Sequence, residues 1–212
     1  MPHRRSETEA VKSSRSAEPT RDRILDAAIL RFSTQSYDTT ALRELAADVG
    51  VDVAYVHRCF GSKENLFRAA VRAAWQPERI FAGRPEDLAF VLARNALAER
   101  QPNEVRPLDI IIRSFSSPDA SRVLRDVVED DFIAPLRKKR EDVSDRQAAL
   151  VAAFLSGLGI LRDVIGCNSV LEKEGGEFEQ TVVEIIEKLM SGMRMGPHTN
   201  TIGKHSENLH FK

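Results

Sequence analysis

The stretch TALRELAADVGVDVAYVHRCFGSK, from Thr40 to Lys63, gathers the residues of this chain whose types and spacing suggest a chemical task. Two short helices are predicted there, about Ala41 to Asp48 and Val53 to Cys59, broken by Gly50 and capped by Thr40 and Asp52. Leu42, Leu45, Ala46, Val49, Val51 and Val56 can lock the pair together, and small Ala46 and Ala47 permit close approach. The second helix then turns its N-terminal residues outward. This is the geometry of a helix-turn-helix, which hydrogen-bonds and pairs charges with nucleic acid rather than making bonds. The same pattern also fits a structural hairpin within an all-helical protein-interaction module.

Bond-making chemistry has no comparable support. The chain has no Ser-His-Asp order, Gly-rich phosphate loop, His-Glu-x-x-His helix or carboxylate cluster with an evident role, so no enzyme is expected. Cys59 and Cys167 lack the paired spacing of a metal site and read as unlinked reduced thiols. No metal or other cofactor is expected.

Of 212 residues, 42% are hydrophobic and 30% charged, as in ordinary soluble proteins. No purely apolar run approaches the ~18 residues of a membrane span, and the basic N-terminus lacks the apolar core of a secretory signal, so a cytoplasmic location is expected. A net charge of −1 argues against bulk nucleic-acid packaging. The bias is local and weak: residues 1–75 hold 12 Lys and Arg against 10 Asp and Glu.

The elements that must position the hairpin are all helical. Residues 1–19 carry almost nothing apolar and read as a disordered arm. A first amphipathic helix starts near Thr20, with Ile24, Ala28 and Phe32 on one face, and a helix after Ser62 carries Leu66, Phe67, Ala70 and Ala74 up to a boundary at Pro77. Further helices are predicted over 86–100, 104–115, 118–140, 145–166 and 177–193, with a kink at Pro135, and 195–212 reads as a flexible tail. The fold class is thus all-α, about nine helices. A three-helix helix-turn-helix domain falls within 20–75, and a helical dimerisation and ligand domain within 76–194.

The segment from Ile24 to Leu66 resembles the tetracycline-repressor (TetR) family of bacterial regulators. The family signature is matched by Ile24, Leu25, Ala27, Ala28 and Phe32; by Tyr37, Thr40, Arg43, Leu45 and Ala46; and by Gly50, Val51, Phe60, Ser62, Lys63, Glu64 and Leu66. The resemblance implies a ligand-responsive repressor bound as a homodimer to a palindromic double-stranded DNA operator. It places Thr40 on phosphate, Arg43 on phosphate or a groove base, Val53, Ala54 and Tyr55 at base edges, and His57, Arg58 and Lys63 along the backbone. Departures occur too. Ser36 stands for a common Gly, Asp52 for Ser and His57 for Tyr, and Val53 for a frequently polar residue. A left-handed turn at Ser36 must therefore be tolerated or avoided, and His57 would hold phosphate more strongly when protonated.

The resemblance further implies that the helices over 86–166 surround a pocket for an unidentified small-molecule effector. Asn95, Asp109, Arg113, Phe115 and Phe132 are candidates to line it. The long apolar pair 145–166 and 177–193 suits a four-helix bundle across a two-fold axis, with Phe154, Gly157, Leu158, Leu161, Ile186 and Leu189 as candidate interface residues.

Overall fold

In the computed structural model, residues 6–102, 104–171 and 176–192 are described. Four helices come first: α1 (Ser6–Thr34), α2 (Leu42–Val49), α3 (Val53–Phe60) and α4 (Lys63–Trp75). A single turn, α5 (Pro77–Ile80), and a 3-10 turn at Pro85–Asp87 lead into α6 (Leu88–Leu97) and α7 (Pro107–Ser114). α8 (Pro118–Val128) passes through a π turn (Glu129–Ile133) into α9 (Ala134–Lys139), and α10 (Asp145–Gly159) passes into a second π turn (Ile160–Val164). A 3-10 turn at Asn168–Val170 and α11 (Glu177–Ser191) complete the order. With α8 and α9 taken as one rod and α5 set aside, the described residues form nine helices and no strand, an all-α fold as expected.

Local chemistry explains most boundaries. Asp52, Ser62, Ser117 and Ser144 each cap a helix by accepting a backbone N–H from its first turn. Gly50 ends α2 at φ 72 and ψ 37, the left-handed conformation that a residue without Cβ adopts freely. Pro107 opens α7, where its missing N–H costs nothing.

One expectation is corrected. α1 begins at Ser6, not near Thr20, because residues 6–18 contain neither Gly nor Pro to stop a helix, and Pro19 removes only one N–H from the ladder. Residues 1–5, with Arg4 and Arg5, and the tail 193–212 lie outside the described residues. At Pro135 the rod relieves the lost bond and ring clash by widening into the π turn that precedes it, where the Ala134 N–H reaches the Glu129 carbonyl.

The buried side chains form two cores. The first joins Ile24, Ala28 and Phe32 of α1 to Leu45, Val56, Leu66 and Phe67, and is covered by Ile110 of α7 and by Val123 and Val127 of α8. The second gathers Leu88, Leu92, Phe132, Leu136, Val151, Val182 and Ile186 from α6, the α8–α9 rod, α10 and α11. Trp75, the last residue of α4, packs against both. Arg68 pairs with Asp126 at 2.6 Å, and Arg72 forks between Glu78 and the buried Asp131. Arg68 also lies 3.6 Å from Asp130, so three ion pairs rivet α4 to the α8–α9 rod. Burial raises the Asp131 carboxyl above the usual range despite Arg72, and one of its oxygens has no partner.

Candidate nucleic-acid interface and adjoining cavity

The hairpin is held from behind. Arg31 of α1 pairs with both Glu44 and Asp48 of α2, and Arg23 donates to the Val49 carbonyl at 2.9 Å. Ser36 avoids a left-handed turn: its Oγ accepts the Thr39 N–H at 3.3 Å, and Gln76 is the only non-glycine at positive φ among the described residues. Thr40 departs from expectation. It is fully buried and its hydroxyl donates to the Ser36 carbonyl at 3.0 Å, so neither the predicted cap nor a phosphate contact through that hydroxyl is available. Ala41 stands at the N-cap with no side-chain bond, leaving the first N–H groups of α2 to an outside acceptor. Arg43 is exposed beside them and forms no ion pair among the described residues.

On α3, Ala54, His57 and Arg58 are exposed, whereas Val53 and Tyr55 are half-buried against the first core. The Arg58 guanidinium lies 4.5 Å from the Tyr55 ring centre, so the two side chains form one cationic, flat-faced unit. His57 Nδ1 lies 3.1 Å from the Gly61 carbonyl, which can only accept, so the proton sits on Nδ1. Neutral His57 then offers a lone pair at Nε2, and only the protonated ring can donate to phosphate from that side. Lys63 stands over the Tyr37 ring at 4.3 Å, and burial lowers its ammonium below the ordinary value. An alanine at Gly50 would meet nothing within 4 Å but would keep the left-handed φ. The strain alone, ~1 kcal/mol, should lower Tm by about 2 to 4 °C; an unchanged Tm in a thermal melt would mean that the turn relaxes.

Two adjoining cavities open where α4 ends. The outer one, of about 550 Å³, is lined by Trp75, Gln76, Arg79, Phe90, Arg94 and Glu104, among others. The inner one, of about 190 Å³, runs between α6, α7, the α8–α9 rod and α10. Trp75, Ile80, Asn95, Arg106 and Pro107 border both. Trp75 stacks on Phe132 at 5.6 Å and 21°, and Arg106 pairs with Asp163 at 3.0 Å.

Of the five lining residues expected, Asn95 and Phe132 lie at the cavities and three do not. The Asp109 carboxylate is taken by the Arg106 N–H and by Arg100, and Arg113 donates to the Ser33 carbonyl. Phe115, at the end of α7, is 58% exposed. Trp75, Arg106 and Asp163 were not singled out. A lone tryptophan at a helix end beside Pro77 is the sequence signal that could have flagged the first.

Residues 24–70 match the family model described as bacterial regulatory proteins, tetR family, and residues 86–190 match that of the tetracyclin repressor-like C-terminal domain. The chain belongs to the TetR family. TetR-family proteins are DNA-binding transcription regulators rather than enzymes, and they dimerise and bind small ligands. No curated protein sequence matches this TetR-family chain. Solved structures share its fold. NalD, the secondary repressor of the MexAB-OprM multidrug efflux pump in Pseudomonas aeruginosa, is 16% identical with a TM-score of 0.61, covering 82% of this chain and 97% of its own. Salmonella enterica GusR is 18% identical with a TM-score of 0.60, covering 82% and 96%. The multidrug binding protein EbrR, complexed with ethidium, is 20% identical with a TM-score of 0.57, covering 81% and 98%.

The TetR-family C-terminal region also leaves an apolar face open. Leu150, Leu161, Val164 and Ile165 are all exposed on or just after the α10 rod. Gly157 is exposed there with open space at its Cβ position, whereas Gly159 is occupied from within, its Cβ position 3.3 Å from Leu108. Phe154 and Leu189 are half-buried. Leu158 and Ile186 are corrected: both lie in the second core, Leu158 on the inward face of α10 just before the π turn that holds exposed Leu161, and Ile186 on the inward face of α11. The rod Asp145–Val164 is long and apolar enough to cross a membrane by length and composition alone. Charge interrupts it: the uncharged stretch between Arg146 and Arg162 is shorter than the rod, and Arg162 is buried in protein.

Proposed function

We propose that this chain is a repressor that binds a palindromic operator as a homodimer and leaves it when a small molecule fills the cavities beside α4. In this reading residues 20–75 read DNA, residues 76–194 dimerise and bind effector, and the protein works in the cytoplasm, as TetR-family regulators generally do. Arg43 and the open N-terminus of α2 take phosphate, Val53, Ala54 and Tyr55 meet base edges, and His57, Arg58 and Lys63 follow the backbone. The exposed face of α10, centred on Leu161 and Gly157, meets its two-fold copy and sets the recognition helices about 34 to 36 Å apart.

The observation that carries the effector step is Trp75. It ends the helix that packs beneath the hairpin, stacks on Phe132 and borders both cavities. A ligand there must touch α4, and Arg72 one turn earlier hands any displacement to Asp131 of the facing rod. Binding that favours one α4 position changes the separation of the recognition helices and lowers operator affinity by the same free energy.

Gel shifts on the chain's own upstream DNA, run as a salt series, test the reading. Specific binding should fall steeply with salt, and Arg43→Ala should flatten the log–log slope by about 2, roughly one phosphate per protomer. An unchanged slope would remove Arg43 from the interface. Absence of any specific shift would sink the operator reading.

A further inference from the structure

The inner cavity holds no charge without a counter-charge. Arg106 pairs with Asp163 at 3.0 Å and donates to the Ala98 carbonyl at 2.6 Å, so its guanidinium is neutralised and its fork is occupied. The outer cavity offers no surplus either: exposed Arg79 stands against Glu104, and Arg94, over the Phe90 ring at 5.6 Å, has partners of its own. An ion entering the inner chamber would give up its water with no unpaired counter-ion to meet it, a cost that a neutral molecule avoids. The other walls are apolar, among them Leu92, Leu108, Ile111, Phe132 and Leu155. At about 190 Å³ the chamber suits one aromatic ring, since a cavity of about 150 Å³ takes benzene. The seam holds an unspent uncharged group. Asn95 borders both cavities beside Trp75, and its carboxamide forms no hydrogen bond among the described residues. A carboxamide carries two N–H donors and a carbonyl acceptor, so its best partner is a neutral group that presents a donor and an acceptor together.

We infer that the inner chamber takes the ring of a small uncharged aromatic molecule whose head group, carboxamide-like in carrying donor and acceptor together, is held at the seam by Asn95. The inference rests on the effector reading above and names the class of molecule that reading leaves open.

Trp75 is the only tryptophan, so its emission reports on the seam without a label. The full-length protein is titrated with benzamide, benzoate and benzamidine, near-isosteric molecules whose head groups are neutral, anionic and cationic. Benzamide should change Trp75 emission saturably and bind about 10-fold tighter than either ion. Asn95→Leu should weaken benzamide several-fold and spare toluene, which has no head group to bond. Asn95→Asp sets a carboxylate at the seam and should reverse the order, benzamidine becoming the tightest of the three, a reversal that a merely structural asparagine would not produce. Benzoate or benzamidine binding the unaltered protein as tightly as benzamide overturns the inference, as does no saturable response to benzamide or full benzamide affinity in Asn95→Leu. A gel shift separates the two readings. Benzamide that saturates the Trp75 response while the operator stays bound keeps the ligand class and rejects the effector role, whereas operator release by benzoate or benzamidine alone rejects the class and keeps the role.

Discussion

Leu161→Glu is expected to leave a folded monomer that no longer shifts operator DNA. Leu161 is 43% exposed, so a carboxylate there keeps its water in the isolated chain and costs the fold little. In a two-fold dimer the substitution brings two like charges to one apolar seam, each desolvated without a partner, a penalty of several kcal/mol. Loss of the linked second half-site should then weaken operator binding by about 10² to 10⁴. Sedimentation and a gel shift on the same preparation read both effects. A variant that stays dimeric would move the interface off the α10 face. Leu158→Ala serves as the contrast, since Leu158 is buried in the chain's own core and should lower stability by about 2 to 5 kcal/mol.

The second large effect lies in the reading head. Phe32 is fully buried, meets Phe67 edge-on at 5.0 Å and 81°, and stacks with Tyr37 at 6.2 Å and 14°. Phe32→Ala removes the shared partner of that cluster and should cost about 3 to 5 kcal/mol. For a chain of this length Tm should fall by about 6 to 20 °C, followed by circular dichroism. A fall of less than about 3 °C would show that the hairpin's stability does not pass through this cluster. The buried ring of Tyr37 adds a second sign of a dry site: burial first, and Glu64 second, raise its phenol well above the ordinary value.

Much of this was legible because it is local. Asp52, Ser62 and Ser117 announce their helices by a polar oxygen at the right distance, and Gly50 announces a turn that needs a left-handed residue. Periodicity located the helices over 118–140 and 145–166 to within a few residues. The failures are tertiary. Thr40 has the composition of a cap, but burial turned its hydroxyl to Ser36. Periodicity put Leu158 and Leu161 on one stripe and could not foresee the π turn that starts at Ile160 and holds Leu161. Asp109 and Arg113 flank an apolar face in sequence, yet nothing in sequence says which neighbour covers that face, and their hydrogen bonds were claimed by Arg106 and Ser33. The cavity's Trp75 comes from the helix assigned to the other half of the chain, which pattern reading had no reason to join to it.

The π turn at Glu129–Ile133 bears on how this binding site could diverge among descendants. A π turn holds one residue more than the α-turn it replaces, and it supplies Phe132 to the cavity wall and Asp131 to Arg72. Loss of a single codon in this segment would restore regular helix and re-register the residues of the turn itself, with α8 and α9 on either side keeping their faces. Phe132 and Asp131 would both leave their places, while α8 and the hairpin beneath it kept theirs. Pro135 guards against that step, because its ring needs the wider turn. A lineage that exchanged Pro135 first could therefore re-cut its ligand preference by length rather than by substitution.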